Sequence, residues 1–220
     1  MSSDDWYRGP EWDEDARALF EKKVARSRNQ KAFYLWVKAE AIACNHPSDA
    51  GELFERSLAC KDDFETARAL NARARVSAAR GGDAQGTLDD LAEAARTERD
   101  KITGMMSPAR WDYAAMVGMG RHRDRYDEAL RLMGRPVSDQ SFAGQVALAF
   151  VHHDRGHRLR ARSAAKKALR RAAMKGEQAP GVPLPPVPEF PNPLYDRLLV
   201  IAELWDEAEL GPPPPVWPEG

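Results

Sequence analysis

Three of the chain's five histidines fall within seven positions, Val151-His152-His153-Asp154-Arg155-Gly156-His157. The run His153-Asp154-x-x-His157 differs from a zinc-peptidase signature, H-E-x-x-H, only by aspartate in place of glutamate. Such a site needs both imidazoles on one continuous helical turn, the acid as base, and a third ligand from elsewhere. Gly156 stands between the two histidines, where glycine would end one helix before the next begins. Arg155, Arg158 and Arg160 oppose a dication, and only His46 and His122 remain as further histidine ligands. The reading is therefore a hairpin corner, with no metal, cofactor or catalytic residue. His153 would close the first helix, where the macrodipole favours an imidazolium. No Gly-rich phosphate loop, Cys-x-x-Cys pair or Gly-x-Ser-x-Gly elbow occurs elsewhere.

A second candidate is the basic run RLRARSAAKKALRR (158–171). Arg158, Arg162, Lys166 and Arg170 recur every four residues and form one helical stripe, while Arg160, Lys167 and Arg171 form another. The nearby run RHRDR (121–125) adds Arg121 and Arg123. Net charge is −4 over residues 1–100, +9 over 101–180 and −6 over 181–220, although the whole chain carries only −1. Such a field would steer an acidic partner, the chain's own C-terminal segment included. Phosphate backbones would also be drawn to it, but the stripe lacks aromatic side chains on which bases could stack.

The elements that must carry these residues are helical. Apolar residues recur at the helical period over 13–28, 30–45, 47–61, 63–80, 84–101, 107–119, 125–134, 139–155, 157–175 and 194–210, and no stretch alternates with period two. The expected class is all-α with about ten helices. A helical-repeat domain would span 1–175, a Pro-rich extended linker 176–193 and a C-terminal helix 194–210. That helix would cap the repeats by burying Leu198, Ile201 and Trp205, and 211–220 would form a flexible tail. No apolar run approaches the ~20 residues that span a membrane. The opening MSSDDWYRGPEWDED lacks the positive-then-apolar order of a signal peptide. Cytoplasm is the expected location, with Cys44 and Cys60 as two free, buried thiols.

The second helix of successive pairs repeats one pattern: Ala50-x3-Phe54-x2-Ser57, Thr87-x3-Leu91-x2-Ala94, Ala129-x3-Met133 and Ala161-x3-Ala165-x2-Ala168. This resembles the tetratricopeptide repeat, W-x2-L-G-x2-Y…A-x3-F. Trp111, Ala114 and Ala115 fall on its W, L and G positions, with Gly118 where the aromatic belongs. Gln145, Leu148, Ala149 and His152 take the same four places in the last pair. The opening WYRGPEWDEDARALFEKKVARSRNQKAFYLWVKA is similar to stand-alone bacterial tetratricopeptide-like proteins of high-GC organisms, a group without an assigned reaction. The resemblance implies a right-handed stack of antiparallel helical hairpins, a tetratricopeptide-like α-solenoid. It also implies a concave groove lined in the last pair by Ala143, Val146, Phe150 and His153.

The expected function is non-catalytic protein binding, as an adaptor or scaffold. Its contacts would be Val146, Phe150 and His153 in the groove, with Arg121, Arg123, Arg158, Arg162, Lys166 and Arg170 on the basic surface. The partner would be a protein or peptide segment, an acidic one included, and not a membrane. An immunity or antitoxin-like protein, suggested by small size and charge asymmetry, and a nucleic-acid binder remain as alternatives.

Overall fold

The computed structural model describes residues 6–101, 108–134, 142–173 and 193–203, and every regular element among them is helical. The chain divides into two compact units, Met1–Ala109 and Arg110–Gly220, so the 1–175 span read as one repeat domain falls in both. Most of the Pro-rich segment, Trp205 and the tail lie outside the described residues.

The first unit contains α1 (Glu14–Arg26), α2 (Lys31–Ile42), α3 (Pro47–Leu58), α4 (Asp63–Ala79) and α5 (Ala84–Lys101). Local signals start and stop these helices. The Asp13 carboxylate accepts from the Ala16 N–H at 2.8 Å, and Asp62 accepts from the N–H groups of Phe64 and Glu65, both at 3.1 Å. Pro47 opens α3. Gly81 closes α4 with φ +63°, and the Gly82 N–H returns to the Ser77 carbonyl at 2.9 Å. Short turns make α3 pack back on α2, and α5 on α4.

Much of the first unit's interior is alanine, including Ala39, Ala43, Ala50, Ala67, Ala69, Ala72 and Ala74. These let helices approach closely but fill little volume. Larger side chains come partly from the N-terminus. Trp12 and Phe20 join Leu35, Ile42, Leu53 and Phe54 in one cluster, with Trp6, Tyr7 and Tyr34 packed over it. The Trp6 and Tyr34 rings lie 4.8 Å apart and those of Trp12 and Phe20 5.5 Å apart, centroid to centroid. Lys38, only 2% exposed, ties this N-terminal segment down. Its ammonium donates to the carbonyls of Gly9 and Glu11, both at 2.8 Å, and lies 5.3 Å from the Trp12 ring centroid. Burial lowers its pKa from the ordinary lysine value, while the charge of Glu11 opposes that shift.

The second unit contains α6 (Ala109–Met119), whose first residue belongs to the other unit, followed by a 3-10 turn (Arg123–Arg125) and α7 (Tyr126–Met133). It continues with α8 (Phe142–Asp154), α9 (Arg158–Ala173) and α10 (Pro193–Ile201). Helix α9 packs on α8, and α10 packs on both. Gly118 lets α6 run close to α8: a Cβ there would stand 3.2 Å from the Phe150 Cβ and 3.4 Å from the Ala147 carbonyl oxygen. Leu198 and Ile201 are buried with Val146, Ala149, Ala161, Ala164, Ala165 and Ala168. Every position of the repeated small-x3-apolar-x2-small pattern is buried, from Ala50, Phe54 and Ser57 through Ala161, Ala165 and Ala168.

The expectation for the cysteines is corrected. Cys44 and Cys60 are free but exposed, because α2 ends at Ile42 and α3 at Leu58 and leaves each thiol in the turn beyond.

Two glycines on helices should respond oppositely to a side chain. Gly118→Val should lower unfolding stability by about 1–3 kcal/mol, because two packed helices must separate. Gly51→Ala, where an added Cβ meets nothing within 4 Å, should raise it by up to about 1 kcal/mol through helix propensity. Denaturant unfolding of both variants against wild type checks the pair.

Candidate functional site

The histidine run does form the corner between α8 and α9. Gly156 adopts φ +74°, the Gly156 N–H donates to the His153 carbonyl at 3.0 Å, and the His157 N–H donates to that of His152 at 2.8 Å. This closure reverses the chain, so His153 and His157 do not share a continuous helical turn. Asp154, the acid of the apparent signature, is engaged elsewhere. Its carboxylate accepts from Arg123 Nε at 2.7 Å, from Arg123 Nη2 at 3.0 Å and from the Tyr126 hydroxyl at 3.1 Å. The Arg123 guanidinium, with help from the Tyr126 hydroxyl, holds that carboxyl down at about 2. Arg155 donates to Asp127 at 2.7 Å, a second tie from the corner to the start of α7.

His152 and His157 meet at the corner with their Nδ1 atoms 3.4 Å apart. Burial lowers the pKa of His152 from the usual imidazole value, and the charges of His157, Arg160 and Arg155 push the same way. Among the described residues, no group of three or more His, Cys, Asp or Glu side chains is placed to hold a metal ion.

The basic stripe begins one residue past the corner. Arg158 Nε donates to Glu203 Oε1 at 2.5 Å, and Arg162 Nη1 lies 2.9 Å from Glu203 Oε2, so two successive turns of α9 share one carboxylate. Glu203 sits just past α10 with φ +55°. The Arg158 hydrogen bond and the charges of Arg158, Arg162 and Lys166 lower its pKa from the ordinary glutamate value. The Arg158 side chain is 82% exposed, so water screens this pairing strongly. Arg170 is exposed farther along α9, and Lys166 is partly covered.

The remaining candidates divide. Val146 is 2% exposed within the α8–α9–α10 cluster and offers no surface to a partner. Phe150 is partly buried against the same cluster. His153 is exposed at the end of α8, and Arg121 is exposed on the turn after α6 with φ +54°. Arg123 is exposed but held by Asp154. Sequence reasoning passed over Glu203, Tyr126 and the structural role of Asp154. The visible signal for Glu203 was an acid directly after the stripe Leu194, Leu198, Ile201, Ala202. No family model matches the chain, and no curated protein or solved structure does. No described helix is long and apolar enough to cross a membrane.

The depressed pKa of Asp154 fixes a pH window. Its contribution is present above the ordinary aspartate pKa of about 4 and is lost as pH falls through the folded value of about 2. Asp154→Asn should therefore melt below wild type at pH 7, and the two melting temperatures should converge between about pH 4 and pH 2. Thermal unfolding monitored by circular dichroism checks this.

Proposed function

We propose that the chain is a non-catalytic protein-interaction module. It binds an acidic segment of another protein along the basic face of its last helical hairpin. In this reading the hairpins are degenerate tetratricopeptide-like units stacked as an α-solenoid, a design that creates binding surface simply by stacking, and the protein works in the cytoplasm. The observation that carries the proposal is the grip of Arg158 and Arg162 on the Glu203 carboxylate. Both guanidinium groups hold a carboxylate in the folded chain, the same group an acidic segment would present. Lys166 and Arg170 extend the same row, so an incoming acidic segment would meet basic residues beyond Glu203.

The test is affinity capture from the native host with the tagged full chain. Lys166→Glu with Arg170→Glu should reduce recovery of the captured protein at least tenfold at unchanged helicity. Unchanged recovery contradicts the reading. Recovery that disappears on nuclease treatment, together with salt-dependent retention of DNA or RNA on filters, would transfer the surface to nucleic acid.

A further inference from the structure

We propose that α8 and α9 form a docking trough for an acidic amphipathic helix and that α10 is its tethered, displaceable occupant. The proposal rests on the interaction-module reading and names both the partner class and the regulation of the same surface.

The trough is made of small residues. Helix α9 turns Ala161, Ala164, Ala165 and Ala168 inward, and α8 contributes Val146 and Ala149. Rows of alanine bring two helices close together and leave a shallow depression along their seam. Phe142, Leu148 and Phe150 of α8 and Leu169 of α9 are only partly buried against this cluster, and α10 adds large apolar groups that are buried in it. Leu198 and Ala202 are fully buried, Ile201 is nearly so, and Leu194 packs against the same cluster. Positions 194, 198, 201 and 202 follow the i, i+4, i+7, i+8 spacing of one helical face. Glu203, just past the C-terminal end of α10, reaches Arg158 and Arg162 in the first turns of α9, while α10 packs along that helix. The recognised motif is thus a short apolar helical face followed directly by a carboxylate, running antiparallel to α9.

Two features make α10 an occupant that can leave. A nine-residue helix is too short to persist alone in water, so its order comes from the trough. Its ion pairs with Arg158 and Arg162 are exposed to water, so they select and orient the ligand but hold it weakly. Nineteen residues, 174–192, six of them proline, join α9 to α10 in the sequence. Such a tether keeps a released α10 at high local concentration, so only a partner helix that binds more strongly displaces it.

A cut-and-exchange experiment on the full chain tests this. A protease recognition sequence is placed within 174–192, and the cut and uncut chains are titrated with a fluorescently labelled peptide of residues 193–210. The cut chain should take up the peptide at least tenfold more tightly than the uncut chain, and the helicity of α8 and α9 should persist. A Leu198→Asp peptide should not bind, and a Glu203→Lys peptide should bind about fivefold more weakly. As a second arm, the uncut chain carrying Leu198→Asp should accept the wild-type peptide in trans. The proposal is overturned if the cut chain keeps its own α10 against excess peptide, or if release of α10 melts α8 and α9. Exchange requires no cellular partner, so exchange without any capture would overturn the function reading alone. Capture without exchange would overturn only this one.

Discussion

Helices faced with alanine can approach closely, but they bring little volume to the space between them, and both units are organised by how that deficit is met. In the first unit the N-terminal segment helps meet it. Trp12 and Phe20 sit in the core, Trp6 and Tyr7 pack over it, and the Lys38 ammonium pins the segment through two backbone carbonyls. In the second unit α10 meets it through Leu198 and Ile201. In each case part of the bulk arrives from a segment lying outside the hairpin it completes, beside large side chains of the hairpin itself such as Phe54 and Leu169. The apolar area those few side chains remove from water holds the added segment in place.

Charged residues tie the corner between α8 and α9 to its neighbour in the second unit. Asp154, Arg123 and Tyr126 join the α8–α9 corner to the start of α7, and Arg155 with Asp127 repeats that tie. These contacts use the residues that looked most like chemistry in the sequence and give them positioning roles. A rigid corner fixes where the first turn of α9 stands, and hence where Arg158 and Arg162 meet a carboxylate. The chain of cause runs from a left-handed glycine, to a closed corner, to a basic row presented in one place.

The all-helical class was legible because helical periodicity, Pro47, Gly81 and Gly156 are strong local signals. The buried stripe of each second helix was legible for the same reason, since small residues at fixed spacing mark a close approach. Other features depended on tertiary partners. Val146 reads as groove-facing by analogy, yet it is buried in the cluster that α8 shares with α9 and α10. Arg123 reads as a free basic residue, yet it stands opposite Asp154, 31 positions away. The cysteines read as buried because periodicity carries both helices three residues too far, to 45 and 61, and the true ends at Ile42 and Leu58 leave both thiols in turns. Lys38 could have been noticed as a lone cation within an apolar stretch, but its two carbonyl partners lie in a segment with no period of its own.

The central claim is that α8 and α9 stand without α10, which completes their trough but does not hold the pair together. Native-state hydrogen exchange across a series of low denaturant concentrations measures this directly. The account predicts that the α10 amides open at a lower free energy than those of α8 and α9, which keep their protection while α10 is open. A single opening free energy with one shared denaturant dependence across all three helices would contradict it.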